Sequence, residues 1–371
     1  MKKNFFISFI FFSIIILFFN YVFSKDFDEP KTKIKLNYQK YKISIIYPVY
    51  NSQKYIRRSL MSILNQSLKD IKIICINDGS TDNTGKILEY YAKIDSRIIL
   101  INKKKTSMRA GSARTEGLNF IEGDYVGWVD ADDFISPLTF EYTYKYAKKD
   151  DVDLLEFEYS RFGGRGIRKK KRKKRKKKKI HKRCNFQNLN LSDSEVDNIR
   201  NVWSKLSNYN WSKLYKTTIL INSKISFTND IIGQDVQFNY KLFPFLNKVK
   251  ILKGKYYCYL RPRKKPTYRN KFLKESEFYL PIIDVWKKNG FNKKKIWFME
   301  ILIDVYNRFL WKNRFKKNHI NIFINILSQQ KDIFNKQVVM KLNQHYIDEL
   351  KRILIKYDHF YKKNYYNLIF N

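Results

Sequence analysis

Cysteine is scarce in this chain of 371 residues: Cys75, Cys184 and Cys258 are the only three. An odd count argues against a disulfide framework, and the spacings match no metal-binding motif. Cys75 stands in an apolar run, where a small buried hydrophobe is expected. Acid is scarce as well, with 34 Asp and Glu against 75 Lys and Arg, a net charge of +41. Such a charge attracts polyanions: nucleic acid, anionic lipid or phosphate-bearing substrates. No zinc or helix-turn-helix motif accompanies it. The densest basic run has no interleaved aromatic residue, which disfavours a nucleic-acid-binding protein, and no nucleic-acid partner is expected. That run, between Arg165 and Arg183, holds 15 Lys or Arg and no acid; without it the chain still carries +26. It reads as a solvated low-complexity insertion. Hydrophobic residues make up 44% of the chain, enough for a packed core, so global disorder is excluded.

One long apolar run is present. Lys2 and Lys3 precede a stretch from Phe5 to Phe23, interrupted only by Ser8, Ser13, Asn20 and Tyr21. At about 1.5 Å rise per residue it would span roughly 28 Å, about one bilayer core. An uncleaved signal-anchor is favoured over a cleaved signal peptide ending near Val22-Phe23-Ser24. Lysines on both sides specify the orientation weakly. The expectation is a single-pass membrane protein of the secretory pathway, facing the ER or Golgi lumen and contacting the membrane through residues 5–23. Residues 1–24 are then the signal segment and 25–41 a polar stem.

From Lys42 onward, short β-branched runs alternate with segments of helical periodicity. Strands are expected at 42–47, 71–76, 98–101, 125–129 and 152–157. Helices are expected at 53–64, 84–94 and 110–121 and after Pro137, with Asp82 or Asn83 capping the second. This alternation implies a largely parallel sheet covered by helices. Ligands bind beyond the carboxyl ends of such strands. The rule selects residues 48–51, 78–82 and 130–133. Asp130-Ala131-Asp132-Asp133 places three carboxylates in four residues at a strand end. They need a cation or strong donors to coexist, and oxygen-only ligation suits Mg²⁺ or Mn²⁺ shared with substrate phosphates.

Four blocks, in order and spacing, carry a resemblance. They are Ile43-Ser44-Ile45-Ile46-Tyr47-Pro48-Val49-Tyr50-Asn51; Ile76-Asn77-Asp78-Gly79-Ser80-Thr81-Asp82-Asn83-Thr84; Ala110-Gly111-Ser112-Ala113-Arg114-Thr115-Glu116-Gly117-Leu118; and Gly123-Asp124-Tyr125-Val126-Gly127-Trp128-Val129-Asp130-Ala131-Asp132-Asp133. Together they resemble family 2 glycosyltransferases, which have the GT-A fold. The resemblance implies a Rossmann-like, mostly parallel mixed sheet flanked by helices, over residues 42–268. It would comprise a nucleotide-sugar half at 42–160, the basic insertion at 163–198 and an acceptor half at 200–268. A helical C-terminal region, 269–371, would follow the N-terminal membrane segment and this domain.

The resemblance also implies roles. Pro48 and Tyr50 would line the donor site, Asp78 would contact the base, and Arg114 the diphosphate or sugar. Asp130 would lie near the ribose and sugar and share metal ligation with Asp132, with Asp133 either supporting the site from behind or contacting the sugar. Asn210-Trp211-Ser212-Lys213-Leu214-Tyr215-Lys216 and Gly233-Gln234-Asp235-Val236-Gln237-Phe238 are similar to the family's acceptor motifs. They place Trp211 and Gln234 on the acceptor side, with Arg261 of Tyr259-Leu260-Arg261-Pro262. Asp235 would be the general base that removes the acceptor hydroxyl proton; a helix N-cap is the alternative for it.

The implied enzyme is an inverting hexosyl- or N-acetylhexosaminyltransferase. It would use a UDP-sugar, Mn²⁺ or Mg²⁺, and a glycan, lipid or protein acceptor. Thr115 stands where Asn is usual and Gln234 where Glu is usual, which keeps a catalytically inactive binding relative as an alternative. A processive polysaccharide synthase would need further membrane spans and a Gln-x-x-Arg-Trp motif; the chain has neither.

Overall fold

The computed structural model describes residues 41–107, 110–163, 195–228, 233–261, 275–309, 317–330, 334–342, 344–361 and 365–370. The apolar stretch 5–23, the stem and the basic insertion lie outside the described residues. Among the described residues no helix is long and apolar enough to cross a membrane.

The first half alternates as expected. β1 (Ile43–Val49), α1 (Ile56–Leu64), β2 (Ile71–Asn77), α2 (Thr84–Ile94), β3 (Ile98–Asn102), α3 (Ala110–Leu118) and β4 (Tyr125–Trp128) follow in order. Every residue of β1 and β2 is buried, because helices cover both faces and leave no solvent side for alternation. α1 turns Ile56, Leu60, Ile63 and Leu64 onto the sheet. At the start of α2, the Asp82 carboxylate accepts the Thr84 N–H at 2.9 Å. Helix α3 lacks an apolar stripe and packs through its glycines: a Cβ on Gly117 would stand 2.5 Å from Cγ2 of Ile46 in β1.

Beyond β4 come β5 (Phe134–Ile135), α4 (Thr139–Lys149), β6 (Leu154–Gly163), β7 (Val196–Asn198), β8 (Lys213–Lys216), α5 (Gln234–Leu242) and the long β9 (Lys248–Arg261). The strands form one sheet in the order β3-β2-β1-β4-β8-β6-β9-β5, with β7 paired to β9. Pairing is parallel among β1, β2, β3 and β4. β8 runs antiparallel to both β4 and β6, and β6 returns parallel to β9. The sheet is thus more evenly mixed than the expected mostly parallel one. The difference lies in β5, β7, β8 and β9, whose segments carry no helix-strand alternation to read.

Helices Glu275–Lys288, Lys295–Phe309, Lys317–Ser328 and Gln344–Tyr361 make up most of the C-terminal region. They dock beside α5: Trp286 Nε1 donates to the Tyr240 carbonyl at 2.9 Å, and the Tyr240 hydroxyl donates to Asp304. Cys75 is a buried free thiol in β2. Cys258 in β9 is disulfide-bonded, which the odd cysteine count did not lead one to expect.

Candidate active site

β1, β2 and β4 are parallel neighbours, so their carboxyl ends share one edge. Pro48 is buried within β1, paired with Ile76, while Tyr50 just past the strand is 41% exposed. Past β2 the chain must turn sharply, and Gly79 does so at φ +70°, with the Thr106 nitrogen only 2.5 Å from where a Cβ would be. Before it, Asp78 is buried, and its N–H donates to the Val49 carbonyl at 2.9 Å. Its carboxylate meets Lys103 Nζ at 2.7 Å and accepts the Ser107 hydroxyl at 2.7 Å and the Thr106 hydroxyl at 3.1 Å. Burial alone would raise its pKa; Lys103 and Ser107 outweigh that and hold it below the usual carboxylate range.

The loop after β4 holds the acidic cluster. Asp130 accepts from Arg114 Nη2 at 2.8 Å, and its N–H donates to the Tyr257 hydroxyl at 3.1 Å. That hydroxyl donates in turn to Asp133 Oδ2 at 2.8 Å, and the Leu260 N–H reaches Asp133 Oδ1 at 2.6 Å. Asp133 is fully buried with both oxygens engaged. Burial and the neighbouring carboxylates push it well above the ordinary range. Asp132 differs, because no hydrogen bond from another described side chain reaches its carboxylate. Burial, then the charge of Asp130, raises it to about 6. Arg58 braces the loop through its Nη2, which donates to the Asp132 carbonyl at 3.0 Å. The Arg58 guanidinium carbon lies 4.7 Å from the Phe134 ring centre and 5.0 Å from that of Phe162.

Asp235, in the first turn of α5, joins this cluster from a position far along the chain. Arg114 Nη1 donates to its Oδ1 at 3.2 Å, so one guanidinium bridges Asp130 and Asp235. Burial raises the Asp235 pKa and Arg114 opposes the rise. Arg114 itself is 7% exposed, and its Nε is buried without a hydrogen-bond partner among the described residues. Gln234 is buried against α3: a Cβ on Gly111 would lie 2.8 Å from its Oε1 and 2.6 Å from the Thr228 carbonyl, and the backbone contact is what requires glycine there. Trp211 is buried too and stacks on Tyr257 at 4.4 Å. Arg261 ends β9, and its side chain lies outside the described residues.

The structure therefore brings Arg114, Asp130, Asp132, Asp133, Gln234 and Asp235 together, with Asp78, Pro48 and Tyr50 along the same edge. Sequence reading missed Lys103, Thr106 and Ser107, although they follow β3 at the same carboxyl edge and the strand-end rule could have found them. It also missed Tyr257, which no local motif marks. Among the described residues no cluster of three His, Cys, Asp or Glu side chains is arranged to hold a metal alone. The donor set nevertheless fits a hard cation shared with phosphate oxygens. No other described side chain donates to the Asp132 carboxylate, and a cation would relieve the carboxylate repulsion that helps raise it.

Residues 44–200 match the sequence model of the family described as Glycosyl transferase family 2. Those residues carry a glycosyltransferase family 2 domain. It is 30% identical over 218 residues to an uncharacterized glycosyltransferase, EpsJ, of Bacillus subtilis, an alignment covering 58% of this chain and 60% of that protein. It is 28% identical over 225 residues to a poly(ribitol-phosphate) beta-glucosyltransferase of Bacillus spizizenii, covering 60% of this chain and 32% of that protein. The chain thus spans less than two thirds of the length of these relatives. Among solved structures, S. aureus TarS 1-349 in complex with UDP-GlcNAc superposes with a TM-score of 0.64 at 20% identity, covering 86% of this chain and 90% of that one. At that identity the likeness shows a shared GT-A-like α/β fold.

One expectation is overturned. These relatives are bacterial glycosyltransferases, from cells without an ER or Golgi. The expected lumen-facing, single-pass signal-anchor protein of the secretory pathway does not stand, and no described helix could cross a membrane.

Proposed function

We propose that this chain transfers a sugar from a UDP-sugar to an acceptor hydroxyl, with inversion at the anomeric carbon. The observation that carries the reading is the Arg114 bridge, at 2.8 Å to Asp130 and 3.2 Å to Asp235. It ties a strand-end carboxylate of the donor edge to a half-buried carboxylate 121 residues away from Arg114 in sequence. It also leaves a buried guanidinium nitrogen without a partner among the described residues, as suits a site that binds an anion.

Asp235 serves as the general base. Its Oδ takes the proton of the acceptor hydroxyl as the hydroxyl oxygen bonds to the anomeric carbon. The bond from that carbon to the diphosphate oxygen breaks, and its electron pair leaves with the nucleotide. Arg114 opposes the rise that burial gives the Asp235 pKa, and its Nε offers a donor to the departing diphosphate. Asp132, with the second oxygen of Asp130, would hold Mn²⁺ or Mg²⁺, which when bound supplies charge stabilisation to the leaving group. Asp133 positions rather than contacts, because Tyr257 and Leu260 occupy both its oxygens. Asp78 lies at the base end of the donor site; Lys103, Thr106 and Ser107 engage both its oxygens, so it too positions that wall rather than contacts the base. The acceptor is a glycan, lipid or protein hydroxyl. The neighbour TarS was crystallised with UDP-GlcNAc, and the family assignment supports a donor of that class.

Asp235→Asn tests the assignment. Transfer should fall by about 10²–10⁴-fold, the usual weight of general-base catalysis, while UDP affinity holds. Full transfer activity in that variant would refute the role of Asp235.

A further inference from the structure

Strands β6 and β9 run parallel, with Tyr159 beside Tyr257 and Arg161 beside Tyr259. Side chains two residues apart share a face, so these four form one patch. Tyr209 and Trp211 stack onto it. Ring centres are 4.7 Å apart for Tyr209 and Trp211, 5.4 Å for Trp211 and Tyr259, and 4.7 Å for Tyr159 and Trp211. The inner members, Trp211 and Tyr257, are buried, and the Tyr257 hydroxyl holds Asp130 and Asp133. The outer members, Tyr159, Tyr209 and Tyr259, are half-buried, and Arg161 is exposed.

The patch also adjoins the general base. Asn239 Nδ2 donates to the Asn208 carbonyl at 3.2 Å, to Asn210 Oδ1 at 2.7 Å and to the Asp235 carbonyl at 2.7 Å. The loop carrying Tyr209 is thereby fixed beside Asp235. A cluster that served only packing would close over its rings. This one runs from Tyr257, bonded to Asp130 and Asp133, out to the half-buried Tyr159, Tyr209 and Tyr259 and the exposed Arg161. At its rim Arg161 Nη2 donates to the Tyr159 hydroxyl at 2.7 Å, and Arg161 also reaches the Tyr209 hydroxyl.

We infer that Tyr159, Tyr209 and Tyr259, with Arg161 at the rim, form an acceptor subsite for a sugar ring that carries an anionic group. The tyrosines offer flat apolar faces to the C–H face of a ring, with polar edges for its hydroxyls. A guanidinium carries five N–H donors in a planar fork suited to phosphate or carboxylate. A chain of net charge +41 draws such an acceptor to its surface. The inference rests on the glycosyltransferase reading above and adds to it the chemical class of the acceptor.

The test is calorimetric titration of the full chain, with Mn²⁺ and UDP present, against N-acetylglucosamine 6-phosphate and against N-acetylglucosamine. The phosphorylated sugar should bind at least ten-fold more tightly. Arg161→Gln should abolish that preference, Tyr209→Ala should weaken both sugars at least ten-fold, and UDP affinity should hold in both variants. If Tyr209→Ala loses UDP binding through misfolding, the exposed Arg161→Gln decides alone. Equal affinities for the two sugars in the wild type would overturn the inference. So would a preference kept by Arg161→Gln with UDP bound normally. Failure of the wild type to bind UDP at all would instead overturn the glycosyltransferase reading, and this inference with it.

Discussion

Replacing Arg114 by methionine, Arg114→Met, keeps an aliphatic stem in α3 and removes the guanidinium that joins Asp130 and Asp235. Arg114 is 7% exposed, while the partner side chains are 26% and 21% exposed. Breaking a buried pair by deleting one member costs about 3–5 kcal/mol, because the abandoned charge stays buried. The partial exposure of both carboxylates puts the expected loss near the low end, about 3 kcal/mol. At roughly 2–4 °C per kcal/mol, Tm should fall by about 6–12 °C at pH 7.5. The deficit should also depend on pH. Arg114 is what opposes the rise in the Asp235 pKa caused by burial, so without it that carboxyl climbs further. A group with a raised folded pKa contributes stability below its unfolded value and loses it as pH rises through the folded one. The variant should therefore recover part of its deficit on acidification to pH 5.5. Calorimetric unfolding at both pH values measures this. A Tm change under about 2 °C, or a deficit that widens in acid, would refute the bridge as described.

Further expectations follow from single positions. Asp132 is raised to about 6, and a carboxyl must lose its proton to ligate a cation. Mn²⁺ affinity measured with UDP present should therefore weaken about ten-fold per pH unit below that value; a flat profile would remove Asp132 from the metal site. The stability sign is the opposite: burial of the ionised form costs stability as pH rises through about 6, so apo protein should gain relative stability in acid. Gly117→Ala puts a methyl 2.5 Å from Ile46 Cγ2. Overpacking of about 1–3 kcal/mol should exceed the gain of about 1 kcal/mol in helix propensity, and Ile46→Ala, which removes Cγ2, should make the two losses less than additive in the double variant. Cys75 is fully buried and burial pushes its thiol up, so thiol reagents should label it only after unfolding, as peptide mapping would show.

Much of this was legible in the sequence because backbone chemistry demands it. A run such as Ile71–Asn77, apolar and closed by Asp78-Gly79, can be little else than a buried strand with a turn after it. The strand-end rule then placed Asp78 and Asp130 on one edge. Arg114 beside Asp130 was readable only through resemblance, since helix α3 shows no apolar stripe that would fix its facing. The pairing of Arg114 with Asp235 is a tertiary fact: nothing local to either residue reports the other. The same holds for Tyr257, one tyrosine in the aromatic-rich strand β9, whose role arises because β9 crosses beneath the acidic loop. Asp133 shows the limit most clearly. In sequence it is equivalent to Asp132, yet Tyr257 and Leu260 saturate one carboxylate and leave its neighbour open.

The most direct test of the central claim is nucleotide release by the full chain from a panel of UDP-, GDP- and CMP-sugars, with and without Mn²⁺, beside Asp132→Ala. The account predicts metal-dependent release of UDP from a UDP-sugar that the variant loses. Release unaffected by metal and by Asp132→Ala, or no binding of UDP at all, would contradict it.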